Sequence, residues 1–307
     1  MSERFVVVCL NPTIQNTFTL ASLRPGQVNR VIEQRMDASG KGVNVARVLT
    51  QLGEDTVHLT HGGGRHLQLL RSLCATDNVA LRVVEGNVEI RHCHTLLSAD
   101  DRRTTEIVEP GYDVSADLEA RILAAYRELL PSAHTVIITG SMAPGFSDTV
   151  YPTMVAEARA AGARSILDIR GSDLVATLPE HPTLVKLNLN EFSQTFGPEE
   201  LPEETAMSDV PAELVDRVIN VAREHNVELV VSNGRRSLIY VDGDSVRTID
   251  PPAAKPVNAV GSGDALTAGI AAGLNRGQPL VEAITLGMRC AAQNVGLLKP
   301  GAIREAT

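Results

Sequence analysis

The chain has 307 residues, 43% apolar and 21% charged, which suits a soluble protein with a sizeable α/β core. Its formal net charge of −9 argues against non-specific binding to nucleic acid or a membrane surface, so an anionic ligand would need locally placed cations. No apolar run reaches bilayer-spanning length, Met1-Ser2-Glu3-Arg4 is too short and wrongly flanked for a signal peptide, and Cys9, Cys74, Cys93 and Cys290 lack paired spacing; a cytoplasmic protein with reduced thiols is expected.

Phe5-Val6-Val7-Val8-Cys9-Leu10 is a continuous apolar run, as in a buried strand, and Asn11-Pro12 ends it. Segments 16–20 and 28–36 alternate with polar residues and are predicted as half-exposed strands. A helix opens around Gly40-Lys41-Gly42, with Val45, Val48, Leu49 and Leu52 on one face and Gly53 at its end. A strand at 57–60 closes on His61-Gly62-Gly63-Gly64, and a helix follows over about 66–74. Strands are predicted at 79–85, 88–97 and 104–108, the last two too polar for a core, with Asp100-Asp101-Arg102-Arg103 turning between them.

From residue 115 the rhythm is regular. Helices at 115–130, 147–161, from 189, 211–225, 264–275 and 279–297 interleave with strands at 136–139, 165–168, 184–188 and 229–232. An acidic, proline-containing loop covers 199–209, and strands 237–242 and 245–249 join at Asp242-Gly243-Asp244. This alternation predicts a doubly wound α/β fold, a mostly parallel sheet flanked by helices. No linker or repeat divides the chain, so residues 1–307 are expected to form one domain. The polar strand pairs at about 11–36 and 88–107 are expected to form a small β-sheet lid that covers a site or pairs with another subunit.

Sites in such sheets lie beyond the carboxyl ends of the strands. There Val257-Asn258-Ala259-Val260-Gly261-Ser262-Gly263-Asp264 reads as an extended run, a Gly-Ser-Gly turn and a helix start. The glycines let consecutive amides form an anion-sized nest, reinforced by the positive end of the helix. A carboxylate beside an anion hole is unfavourable unless it has a task, and taking the proton of an attacking hydroxyl is one. The plainer alternative is that Asp264 caps its helix. No P-loop pattern occurs, and Leu266 stands where a dinucleotide fingerprint needs glycine, so a dehydrogenase of that kind is disfavoured.

The chain's four lysines (Lys41, Lys186, Lys255, Lys299) are conspicuous for their scarcity. Gly40-Lys41-Gly42 can bind a phosphate or sugar hydroxyl or be a flexible turn, and Asn44 can reach the same ligand or face solvent. Arg91 can clamp a phosphate or lie solvated, and His92 with His94 has metal-ligand spacing but no evident third ligand. Lys186, Asn188 and Glu191 form a strand-end K-x-N-x-x-E; a lysine in so apolar a strand wants an anion, and Glu191 can hold the water shell of Mg²⁺. Asn188 and Glu191 are equally a plain helix start, and Ser232-Asn233-Gly234 a plain turn.

Together G-K-G-x-N-V-A at 40–46, I-T-G-S-M-A-P-G at 138–145, K-x-N-x-x-E at 186–191, V-S-N-G at 231–234 and V-G-S-G-D at 260–264 resemble the ribokinase-like, phosphofructokinase-type carbohydrate kinases. Within that family the chain looks most like the tagatose-6-phosphate kinase and 1-phosphofructokinase group. The resemblance implies ATP- and Mg²⁺-dependent phosphorylation of a phosphosugar hydroxyl, and a homodimer joined through the lid. It implies Asp264 as base, with the amides of Gly261, Ser262 and Gly263 on the transferring group. Lys186, Asn188, Ser232, Gly234 and Asn258 would line the nucleotide site and Glu191 would face the hydrated metal. Gly40, Lys41, Asn44, Arg91, Arg30 and Gln15 would hold the sugar phosphate. Gln15 stands where the family usually has Asp, and Leu187 where it usually has Pro. A kinase of an unphosphorylated sugar or nucleoside, or a silent sugar-binding or regulatory protein on the same fold, are the alternatives.

Overall fold

A computed structural model of the protein describes residues 4–304. Residues 1–3 and 305–307, within the span expected to form one domain, lie outside the described residues. In chain order, β1 (Arg4–Val8), β2 (Thr13–Leu20) and β3 (Val31–Ser39) lead into α1 (Lys41–Gln51), then β4 (Thr56–Gly62), α2 (Leu67–Thr76) and β5 (Ala80–Glu85). Next come β6 (Arg91–Ser98), β7 (Thr104–Val108), α3 (Ala116–Leu129), β8 (Ala133–Thr139), α4 (Val150–Ala160) and β9 (Arg164–Asp168). The remainder is α5 (Gly171–Thr177), β10 (Leu184–Asn188), α6 (Leu189–Phe196), α7 (Ala212–His225), β11 (Glu228–Ser232), β12 (Leu238–Asp242), β13 (Ser245–Ile249), α8 (Ser262–Asn275) and α9 (Leu280–Val295).

A nine-stranded sheet runs β13-β12-β11-β10-β9-β8-β1-β4-β5. It is parallel from β5 to β11, with the β12–β13 hairpin added antiparallel at one edge. The apolar run of β1 explains its central place: Val6 and Val8 join the core under α3, α4 and α7, while Phe5 and Val7 join the opposite core under α1, α8 and α9. All four are fully buried, which stabilises the fold by roughly 1.5–3 kcal/mol per side chain. The register sets Thr139 beside Asp168 and Asn188 beside Ser232, so these strands end along one edge of the sheet. No helix among the described residues is long and apolar enough to cross a membrane.

The second sheet has four strands in the order β3-β2-β6-β7, its two antiparallel pairs joined by parallel pairing of β2 with β6. These are the segments expected to form the lid, but the half-exposed strand expected at 16–20 is buried at Asn16, Thr17 and Leu20. It also starts earlier, at Thr13, where Thr13 and Gln15 are buried and line a polar cleft. The sheet's edge strands do reach solvent, exposing Val31, Ile32, Ile107 and Val108. Strand β4 extends to Gly62 because His61 and Gly62 keep pairing with β5. The short helix α5 was not anticipated.

Candidate active site

Helix α8 begins on a turn that only glycine suits. Gly261 has φ +84°, and a Cβ there would lie 2.3 Å from the Gly301 nitrogen. The Ser262 amide closes the turn by donating to the Ala259 carbonyl at 3.2 Å, so it does not point outward as expected. Gly263 and Asp264 are the following residues of the helix's first turn, where amides have no intrahelical acceptor.

Asp264 does not cap this helix: no side-chain cap is made, and its Oδ2 instead accepts from Asn44 Nδ2 of α1 at 2.8 Å. Burial pushes its carboxyl up; Lys41 pulls it down, Asp168 pushes it up, and it settles at about 6. It is therefore ionised at neutral pH but close to a useful proton affinity.

Asp168, at the end of β9, is the residue that motif reading missed. Its Oδ1 accepts from Lys41 Nζ at 2.8 Å, and its Oδ2 from Lys186 Nζ at 3.3 Å and from Thr267 Oγ1 at 2.9 Å. Burial pushes this carboxyl up too, but Lys186 and Lys41 overcome that and hold it at about 2. The signal available in sequence was an acid ending an apolar strand, Ser165-Ile166-Leu167-Asp168, at the sheet edge where sites form. Lys186 thus meets an anion inside the protein. Burial pulls Lys41 down, yet Asp168, Glu191 and Asp264 outweigh it and keep its ammonium firmly protonated.

K-x-N-x-x-E starts a helix, and its acid also reaches the cleft. Asn188 Oδ1 accepts from the Glu191 amide at 2.7 Å and Glu191 Oε2 from the Asn188 amide at 3.0 Å, a reciprocal cap that starts α6. The same cap orients Glu191 so that Oε1 lies 3.4 Å from Lys41 Nζ, at the cleft.

One cleft of about 570 Å³ is walled by Gly261, Ser262, Gly263, Asp264, Lys186, Asn188, Glu191, Ser232 and Gly234 on the sheet side. Gln15, Gly40, Lys41, Asn44 and Arg91 complete it toward the lid. The Arg91 guanidinium donates through Nη1 to the Glu109 carbonyl at 2.9 Å, while its Nε is buried with no partner among the described residues. Gln15 donates to Thr95 Oγ1 at 2.8 Å. A narrower cavity of about 220 Å³ continues past Ser232 and Gly234 between Leu238, Pro251, Met288 and Val295.

Two expected residues are not at these walls. Asn258 is buried behind the turn, its amide donating to the Leu298 carbonyl at 2.9 Å and its oxygen accepting from the Val260 amide at 3.1 Å, so it shapes the nest from below. Arg30 is exposed in the β2–β3 connection and lines neither cavity. The His92 ring pairs with Asn16 at 3.1 Å, and His92 and His94 gain no third ligand: no group of three or more His, Cys, Asp and Glu placed to hold a metal occurs among the described residues.

Residues 7–305 match the family model described as pfkB family carbohydrate kinase. The structure of phosphofructokinase-2 from Escherichia coli with substrates and products superposes with a TM-score of 0.84 at 24% identity, covering 95% of this chain and 93% of that one. A possible 1-phosphofructokinase from Thermotoga maritima gives 0.83 at 21%, covering 97% and 93%. A putative ribokinase from Agrobacterium tumefaciens gives 0.81 at 13%, covering 98% and 94%; the shared property at these identities is the ribokinase-like fold.

Proposed function

Because the chain belongs to the pfkB family of carbohydrate kinases, we propose that it transfers the γ-phosphoryl group of ATP to a hydroxyl of a phosphosugar of the fructose 1-phosphate, fructose 6-phosphate or tagatose 6-phosphate class. The observation that carries this is the carboxylate of Asp264, set in one cleft with a helix N-terminal nest on one side and Arg91 on the other. A hydroxyl held against the free oxygen of Asp264 would give up its proton there as it attacks. The amides at the start of α8 and the Lys186 ammonium would balance charge on the transferring group, so positioning and electrostatics supply most of the rate. The narrower cavity beside Leu238 and Met288 suits a flat apolar base, with Ser232 and Gly234 at its entrance.

Mg²⁺ fits the donors present. Glu191 offers a hard oxygen at the cleft, and Glu203 lies across from it; burial pushes the Glu203 carboxyl up, with Glu191 and Glu204 adding to the rise against Lys186. A divalent cation is what such crowded carboxylates lack, and when bound it would neutralise the phosphates while keeping its own water. Glu191 and Glu203 would hold that water shell. At the sugar end, the unpaired Arg91 Nε supports a phosphorylated rather than a free sugar.

The apolar rim of Val31, Ile32, Ile107 and Val108 on the lid supports a homodimer formed lid to lid. The four free, buried cysteines support a reducing, cytoplasmic setting. The test is ATP consumption across fructose 1-phosphate, fructose 6-phosphate, tagatose 6-phosphate and the free sugars, with Asp264→Asn as control. Turnover with a phosphosugar that the Asn variant loses supports the reading; turnover with free sugars alone, or none with any, refutes it.

A further inference from the structure

Behind the cleft lies a buried arginine that the reaction as described does not use. Arg47, on α1 one turn beyond Asn44, is 1% exposed. Its Nε donates to Asp77 Oδ2 at 2.8 Å, its Nη2 to the Ala38 carbonyl, and its Nη1 to the Pro300 carbonyl at 2.9 Å and to Asn44 Oδ1 at 3.1 Å. A buried guanidinium is held this fully only where its charge and its geometry are both satisfied.

We propose that Arg47 is a positioning residue for the proton acceptor, acting through Asn44. The proposal rests on Asp264 being the base. A guanidinium can only donate, so it fixes the Asn44 oxygen toward itself and turns the Asn44 NH₂ to Asp264 Oδ2. Ser39 Oγ adds a second donor to the same Asn44 oxygen at 3.4 Å. With that oxygen engaged, Asn44 can donate to Asp264 but cannot flip to accept from it. The arrangement thus favours the ionised carboxylate and leaves its other oxygen for the substrate hydroxyl.

The chain's C-terminal turn locks this geometry from the other side. Gly301 has φ +60°, and a Cβ there would lie 2.2 Å from Asn44 Cβ. Its neighbour Pro300 supplies the carbonyl that seats Arg47, and Asn294 holds the turn by donating to the Lys299 carbonyl at 3.3 Å and the Ala302 carbonyl at 3.1 Å. Asp77, Lys299 and the Cys74 thiol face Arg47, with Asp37 3.6 Å from Lys299, while Lys41, Asp168, Lys186 and the Cys9 thiol face Asp264. Asn44 bonds to both Arg47 and Asp264.

The test is the pH dependence of kcat in three variants of the full chain. Arg47→Lys keeps a buried cation for Asp77 but loses the fork; a fall in kcat of about ten- to a hundredfold is expected, with the ATP KM within about twofold and the acid limb moved up by roughly half a unit or more. Asp77→Asn keeps Arg47 and loosens its anchor, so a smaller shift in the same direction is expected, and this variant decides the matter should Arg47→Lys not fold. Asn294→Ala loosens the turn that seats Arg47, so it is expected to lower thermal stability and to move the limb in the same direction by less than Arg47→Lys. If Asp77→Asn and any folded Arg47→Lys lose activity or stability with an unshifted limb, Arg47 is merely structural and the proposal falls. That outcome leaves Asp264 in place so long as Asp264→Asn is inactive; an Asp264→Asn protein of full activity instead overturns the base assignment and this proposal with it.

Discussion

Two buried carboxylates stand at the same end of the sheet and behave in opposite ways. Asp168, bonded directly by two ammonium groups and a hydroxyl, sits at about 2; Asp264, bonded by one amide, sits at about 6, because burial and the like charge of Asp168 outweigh the pull of Lys41, Asn44 and Lys186. Burial alone raises both. The difference comes from partners: Asp168 stays charged between Lys41 and Lys186, whereas Asp264 is held nearer neutral pH, as the base proposed above requires.

The largest expected effect breaks the pair on its reactive side. Asp264→Asn should lower kcat by roughly two to four decades while ATP binding changes little, as loss of a general base does; steady-state kinetics with nucleotide titration checks both. On the structural side, Asp168→Asn leaves two ammonium groups facing a neutral amide. It should destabilise the fold by about 3–5 kcal/mol, read in denaturant melts, because the buried Lys186 loses its counter-ion and the partly exposed Lys41 keeps only Glu191. A melt unchanged from wild type would show that Asp168 does not organise the lysines.

The stability of Asp264→Asn sharpens the contrast. A carboxyl raised from 3.8 to about 6 weakens folding once ionised, so this variant should be more stable than wild type at pH 7.5, by on the order of 2–3 kcal/mol. The sign reverses the usual acid behaviour: the penalty is fully present above pH 6 and fades as pH falls toward 4. Asp168, with its folded value depressed, adds stability above about pH 4 that is lost only near pH 2. Arg91→Ala, on the lid side of the cleft, should raise the phosphosugar KM by roughly ten- to a hundredfold, the usual weight of a charge-assisted clamp, with the ATP KM nearly constant. Equal changes in both constants would move Arg91 out of the sugar end.

Much of this layout was legible because it depends on local chemistry. The apolar strand at 5–10, the glycines before Asp264 and the strand–helix rhythm each follow from backbone or burial rules, and the structure places them as expected apart from up to three residues at the ends and the added helix α5. What stayed hidden depends on partners far apart in the chain. Asp168 looks like any strand-terminal acid until Lys41 and Lys186 arrive from 127 and 18 residues away. Asn44 could be placed beside a ligand, but its bond to Asp264 spans 220 residues. Asn258 was read as a nucleotide contact because the family resemblance implies one; here its side chain bonds to the Leu298 carbonyl and the Val260 amide instead. The burial of Thr13 and Gln15 at the start of β2 escaped because a polar cleft and solvent demand the same residue types.

The most direct test of the proposed proton acceptor is the pH profile of kcat with the phosphosugar that supports turnover. An acid limb near pH 6, carried by one ionisation and absent from the residual rate of Asp264→Asn, is the expected result. A rate that stays level down to pH 4, or a limb that the Asn variant retains, would contradict the assignment of Asp264.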